Sequence, residues 1–219
     1  MAKKDIPALL LVDLQKGFDD IEYWGGQRNN LCAESNAGRI LTLSRECGLP
    51  IFHIQHCSTI PTSPLHPSNT GNAFKDFATP IKKETVIKKN VNSAFIGTTL
   101  KTRLGKLGLK RLIIVGLTTD HCISTTTRMA GNLGYDTFLV EDATATFNKK
   151  GTNGQNFSAE LIHETAIASL KDEFATIINT DTLLKDIFLR EIYKSSPPAR
   201  NGIPPNKVGT ISPASVALF

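Results

Sequence analysis

The chain of 219 residues predicts an α/β fold: an open, mostly parallel six-stranded sheet with helices on both faces, a three-layer sandwich. Two observations carry that expectation. Short continuous apolar runs such as ALLLVD (8–13) and RLIIVG (111–116) have the character of strands covered on both sides. Between such runs lie segments with helical spacing, and strands alternating with helices imply parallel pairing through right-handed crossovers. The length suits one domain around a single well-buried core.

Taken in order, ALLLVD is the first strand. Residues 34–47 then place Ala37, Ile40, Leu41 and Ser44 on one helical face and stop at Gly48-Leu49-Pro50, a glycine C-cap before a strand. PIFHIQH (50–56) is the second strand and ETVIKK (84–89) the third. A helix over 97–107 precedes RLIIVG, a helix over 122–133 ends at Gly134, and TFLVED (137–142) is the fifth strand. A helix over 158–171 leads to FATIIN (174–179), and Thr180 or Asp181 caps a last helix reaching about residue 193. The segment 57–83 lacks periodicity and holds Pro61, Pro64, Pro67 and Pro80; a loop that long inside a compact domain is usually functional. Residues 1–193 thus form the domain. Residues 194–219 hold five of the eleven prolines and read as a flexible tail or an arm reaching a neighbouring subunit.

Composition excludes several classes. Apolar residues are 40% and charged residues 21%, as in a soluble globular protein. The net charge of +5 is largely a tail effect: residues 194–219 carry three cations and no acid, so residues 1–193 carry only +2. With no basic–aromatic stripe, nucleic acid is not an expected partner. The N-terminal MAKKDIPALLLVD is too short and too interrupted for a secretory leader, and no apolar run approaches the ~20 residues of a membrane span. Cys32, Cys47, Cys57 and Cys122 show neither CxxC nor zinc spacing, which suggests free thiols in a reducing, cytoplasmic setting.

Ligands of an open parallel sheet bind beyond the carboxyl ends of its strands. Asp13 ends the first strand, His56 and Cys57 the second, Lys88 or Lys89 the third, and Glu141/Asp142 the fifth, while Cys122 follows the fourth after a short turn. Each has an ordinary structural alternative: a lone cysteine is most often simply buried, and an aspartate after a strand often caps a turn. Together they have the composition of an activated thiol. Only the thiolate attacks, and a free thiol with a pKa near ~8.5 is mostly protonated at neutral pH. A helix N-terminus lowers that value and offers N–H donors. A lysine about 4 Å away adds up to roughly 4 kcal/mol at an effective dielectric near ~20. A carboxylate can take the thiol proton and return it to a leaving amine. Cys57 is an alternative nucleophile, without an evident helix to lend it amides.

Six segments carry a family resemblance: LLLVDLQKGF; YWGGQRNN followed by Ala33-Glu34; SPLHP…GNAFK; VIKKNVNSAFIGTTL; GLTTDHCISTTTRMAGNLGYD; and LVEDATATF. In order and spacing, from about residue 6 to about residue 186, they resemble the isochorismatase-like cysteine hydrolases, which have a Rossmann-like sandwich. The resemblance implies a catalytic triad of Asp13, Lys89 and Cys122, selecting Lys89 over Lys88. It also implies a cis peptide at Leu117–Thr118, with the Thr118 and Cys122 amides as the oxyanion hole. Phe18, Trp24, Arg28, Asn29, His56 and Ser58 are the expected substrate pocket. Trp24 could instead be a lid packed on the core or on a second subunit, and Arg28 either anchors a substrate carboxylate or pairs with Glu34. Nicotinamidases of this superfamily hold a metal through an Asp-x-His element; FHIQHCS lacks that acid, so no metal or other cofactor is expected and nicotinamide is a less favoured substrate. The implied activity is hydrolysis of a small-molecule amide C–N bond through a thioester, in a homo-oligomer (dimer or tetramer). Two alternatives stand beside it. One is isochorismate vinyl-ether hydrolysis, using Asp13 without a thiol nucleophile. The other is a small-molecule binder without catalysis.

Overall fold

In the computed structural model, which describes residues 6–186, the elements follow the expected alternation. Strand β1 (Pro7–Val12) passes through a 3-10 turn (Lys16–Asp19) and the one-turn helix α1 (Ile21–Trp24) into α2 (Ala33–Glu46). Strands β2 (Ile51–His56) and β3 (Thr85–Lys89) come next, then α3 (Leu100–Lys106) and β4 (Arg111–Leu117). A π-helical turn (Thr119–Ile123) opens into α4 (Ser124–Asn132), followed by β5 (Asp136–Ala145). The short hairpin β6 (Lys149–Lys150) and β7 (Asn156–Phe157), α5 (Ala159–Leu170) and β8 (Thr176–Ile178) complete the named elements; residues 180–186 are helical. The tail 194–219, the division at 193 and the end of the last predicted helix lie outside the described residues.

The main sheet has six strands in the order β3-β2-β1-β4-β5-β8, every neighbouring pair parallel. The chain winds outward from β1 in one direction and from β4 in the other. The order therefore reverses between β1 and β4, the crevice where open α/β sheets bind ligands. Side chains of β1 alternate between two cores, which explains why its sequence does not alternate. Leu9 and Leu11 pack with Ala37, Ile40 and Leu41 of α2. Ala8, Leu10 and Val12 pack with Leu100 and Leu104 of α3, Ala130 of α4 and Ile167 of α5. Leu9, Leu10 and Leu11 are essentially inaccessible, and truncating such a leucine to alanine typically costs about 2–5 kcal/mol.

Local chemistry sets the helix limits. The Leu49 N–H donates to Ser44 O, closing α2 through Gly48 at φ 64°. Ser158 Oγ accepts from the Leu161 N–H and caps α5.

Two expectations are corrected. The helix predicted over 122–133 is two pieces, a π turn and then α4, so Cys122 lies inside the π turn. The fifth strand continues to Ala145, and its pairing with β4 jumps from Ile114–Leu139 to Gly116–Thr144. Glu141 and Asp142 therefore lie within an irregular strand instead of ending it at the rim. Asp142 Oδ1 accepts from the N–H and hydroxyl of Thr180, at the start of the last helical segment.

Candidate active site

The first strand delivers Asp13 to the crevice. Its N–H still donates to Ile54 O, as in the sheet, but its φ of 52° turns the chain away. Aspartate tolerates this left-handed conformation better than most residues. Two residues on, fully buried Gln15 ties β1 to β2: its Nε2 donates to His56 O at 3.0 Å and its Oε1 accepts from His56 N at 2.8 Å. Asn72, from the long loop, donates to the same His56 carbonyl at 2.9 Å. His56 is thus held from two sides. On β3 the alternation of exposure decides between the lysines, with Lys88 outward and Lys89 buried.

Gly116 and the turn after it deliver the cysteine. Gly116 has φ 127°, and a Cβ there would fall 1.9 Å from Val12 O, so only glycine lets β4 lie this close to β1. The Leu117–Thr118 peptide is cis. Thr118 O then accepts the Ile123 N–H at 3.1 Å, the i→i−5 bond of a π turn, a feature frequent at functional sites. Beneath it, Thr119 Oγ1 lies 2.9 Å from His163 Nδ1, and Asp120 is held by the Thr146 hydroxyl and by His121.

These strand ends bring four side chains together. Lys89 Nζ lies 2.7 Å from Asp13 Oδ2, 3.0 Å from His56 Nδ1 and 3.2 Å from Cys122 Sγ. The Lys89 and Asp13 side chains have no solvent exposure. One oxygen of Asp13, His56 Nδ1 or Nε2 and Cys122 Sγ lie within 4.8 Å of one another. Asp13 Oδ1 is buried without a hydrogen-bond partner. Asn92, exposed in the loop after β3, places Oδ1 3.8 Å from the sulfur.

Burial decides the charge states. It pushes the Cys122 thiol well above its ordinary value, reinforced by the Asp13 carboxylate and only partly opposed by Lys89. The sequence alone suggested a lowered thiol, on the strength of a helix terminus and a lysine; burial and the carboxylate outweigh both. For Lys89, burial works against the charge, but Asp13 and Cys122 raise its pKa overall. His56 is lowered by burial and then by Lys89, so the ring is neutral near pH ~7. The site at rest is a protonated thiol beside an ammonium–carboxylate pair. Asp13, His56 and Cys122 carry donor atoms a metal could use, but the Lys89 ammonium already stands within 3.2 Å of all three. A divalent ion does not fit beside that charge.

The remaining expected pocket residues have partners outside this group. Phe18 is buried and stacks on Trp24 at 4.6 Å, and the Trp24 indole N–H donates to Gly17 O, so Trp24 packs on the core. Arg28 pairs with Glu34 at 2.9 Å, while its Nε and Nη2 stay buried and unpaired. Asn29 Oδ1 accepts from Thr146 N, and Ser58 Oγ accepts from Ile60 N. Gln15 and Asn92 were not anticipated. Gln15 stands two residues after Asp13, a usable signal; Asn92 sits in an aperiodic loop that offers none.

A parallel sandwich with polar side chains gathered at its switch point is a frame for a small-molecule hydrolase, and comparison places the chain in a family of hydrolases. The isochorismatase domain matches residues 7–182, and the chain belongs to the isochorismatase family. It is 49% identical over 179 residues to the uncharacterized isochorismatase family protein YrdC of Bacillus subtilis (strain 168), covering 82% of this chain and 95% of that protein. It is 28% identical over 198 residues to Nicotinamidase 3 of Arabidopsis thaliana, covering 83% and 89%. Its fold is similar to that of an isochorismatase-family protein from Chromobacterium violaceum ATCC 12472, with a TM-score of 0.80 and 38% identity, covering 86% and 95%. Among the described residues, no helix is long and apolar enough to cross a membrane.

Proposed function

We propose that this hydrolase cleaves the C–N bond of a small amide through a thioester on Cys122. The observation that carries the reading is the Lys89 ammonium, 2.7 Å from a carboxylate and 3.2 Å from a buried thiol. As the sulfur attacks the amide carbonyl, Asp13 takes the S–H proton and Lys89 offsets the charge growing on sulfur. The carbonyl oxygen becomes an oxyanion on the Thr118 and Cys122 amides. Losing one such donor typically costs about 10²–10³ in rate. Asp13 then passes its proton to the nitrogen, the C–N bond breaks and the amine departs. Asp13 next deprotonates a water that attacks the thioester, and expulsion of the sulfur restores the thiol and frees the acid.

Phe18, Trp24, Arg28, Asn29, His56 and Ser58 form the pocket in this reading, and the two unpaired donors of Arg28 suit a carboxylate. The nicotinamidase among the relatives supports C–N hydrolysis, while FHIQHCS, which lacks the acid of an Asp-x-His element, argues for a metal-free route and against nicotinamide itself. The same reading takes residues 1–193 as the hydrolase domain and 194–219 as a Pro-rich tail or an inter-subunit arm, in a cytoplasmic dimer or tetramer. Cysteines without CxxC or zinc spacing support the compartment, and sizing the chain with and without residues 196–219 tests the arm.

The mechanism is tested by incubating the protein with a panel of small carboxamides and hydroxylamine, then weighing the intact protein. An acyl mass on Cys122 and hydroxamate release are expected, both abolished in Cys122→Ala. If Cys122→Ala turns over the best substrate as fast as the parent, the thioester route is wrong. Vinyl-ether hydrolysis of isochorismate that survives in Cys122→Ala but not in Asp13→Asn would replace it.

A further inference from the structure

An ammonium has three N–H donors and no acceptor. Lys89 spends all three inside the site: on Asp13 Oδ2 at 2.7 Å, His56 Nδ1 at 3.0 Å and Cys122 Sγ at 3.2 Å. Its side chain has no exposure to water, so losing any acceptor would strand a charged N–H, whose hydrogen bonds are among the strongest. Asp13 and Cys122 have chemical work of their own. His56 has none in the mechanism above, yet its backbone is pinned by the most elaborate set of bonds at the rim, from Gln15 and Asn72. That bracing aims Nδ1 at the ammonium.

We propose that His56 is a positioning residue for Lys89: Nδ1 accepts the third N–H of the ammonium, which fixes a neutral ring with its proton on Nε2. The ring cannot carry a proton on Nδ1 while Lys89 donates to it, so the tautomer follows from the geometry. Burial and the neighbouring positive charge act in the same direction. The titratable groups facing the ring are Lys89 from β3, Asp13 from the end of β1 and Cys122 from the π turn. Two of these are the cation and the thiol whose balance the histidine sets. With Nδ1 turned inward, Nε2–H lies on the opposite edge of a half-buried ring, free to donate to an acceptor oxygen on a bound molecule. The role rests on the reading of Cys122 as a nucleophile for its consequence, but not for its tautomer.

Two measurements on the full chain test it. The first is a long-range proton–nitrogen correlation spectrum of histidine near pH ~7, with the His56 ring among the five assigned by its loss in His56→Asn. A neutral Nε2–H ring is expected; an imidazolium or an Nδ1–H ring overturns the proposal. The second is the rate of Cys122 alkylation by iodoacetamide across pH, followed by peptide mass. His56→Asn keeps an oxygen able to accept from Lys89 and should stay within about threefold of the parent. His56→Leu keeps the bulk but not the acceptor; it should be slower by about tenfold or more, with its pH midpoint displaced upward. Coincident profiles for His56→Leu and the parent, or equal impairment in both variants, refute the positioning role. A parent in which Cys122 resists alkylation while the ring is an Nε2–H tautomer fails the nucleophile reading and upholds the assignment of His56. The spectrum needs only the conservative His56→Asn variant for its assignment, and not His56→Leu.

Discussion

Two clusters on the same pair of strands are built from the same kinds of residue and differ in what they leave unpaired. At the far end from the crevice, Glu84 just before β3 meets Arg45 of α2 and His53 of β2. Its carboxylate accepts from Arg45 Nε at 2.7 Å and Nη2 at 3.0 Å, from His53 Nε2 at 2.7 Å and from Ile81 N at 2.9 Å. At the crevice, Asp13, Lys89 and His56 repeat the set of acid, cation and histidine, with a thiol added. Here one carboxylate oxygen is buried with no partner. The difference is saturation. A carboxylate with both oxygens engaged is a clamp, whereas one with a free oxygen beside a protonated thiol is poised to move a proton. Charge and burial do not by themselves distinguish the two; the count of unpaired acceptors does.

The sharpest way to break this contrast is to remove the reacting groups. Cys122→Ala and Asp13→Asn should each lower kcat/KM on the best carboxamide by about 10⁴-fold or more, close to 5 kcal/mol of transition-state stabilisation. The double variant should be little worse than either single one. If both singles keep activity, the rim cluster is a clamp as well.

Next in size, Glu84→Ala strands Arg45 and His53 and should cost about 3 kcal/mol of stability by urea unfolding. Turnover per folded molecule should not change. A fall in activity of the folded enzyme would join the two clusters functionally.

Acid sharpens the comparison further. Burial opposes ionisation of Glu84, but hydrogen bonds from Arg45, Ile81 N and His53 prevail and lower its pKa from 4.5 to about 2. Because the folded value is the lower one, this stabilisation is present in full above pH 4.5 and is lost as the pH falls toward about 2. The gap in urea midpoint between the parent and Glu84→Gln should therefore narrow over that range. A gap that stays constant would mean the carboxylate charge contributes nothing.

The smallest effect belongs to a pair in neither cluster. Arg39 and Asp181 meet at 2.7 Å with 52% and 69% of their side chains exposed. Arg39→Ala should alter stability by about 0.5 kcal/mol or less, vanishing in high salt.

Much of the molecule was legible because it follows from local pattern. The run ALLLV must be covered on both sides, and a parallel sheet puts the ends of all its strands on one rim, which places Asp13, Cys122 and either Lys88 or Lys89 together without any coordinates; the family resemblance selected Lys89. The fifth strand was misjudged for a reason outside its own sequence. Asn30, more than a hundred residues earlier, donates Nδ2 to Glu141 O at 3.2 Å and to Thr144 O at 2.9 Å, spanning the stretch where pairing with β4 shifts. No window around residues 137–145 contains that asparagine. Arg28 presented the same difficulty: both its options were visible, but only packing pairs it with Glu34. The direction of the Cys122 shift was misjudged because terminal dipoles and neighbouring lysines can be read from a chain, while depth of burial cannot.

Apolar periodicity, turn glycines and the residues that follow each strand are properties of neighbours along the chain, so they determine the sandwich, its parallel sense and most of the candidates for the rim, though not the fate of Glu141 and Asp142. The distribution of protons among those rim residues belongs to the folded molecule alone. It depends on three contacts from a single ammonium to partners 76, 33 and 33 positions away, and on removing water from all of them at once.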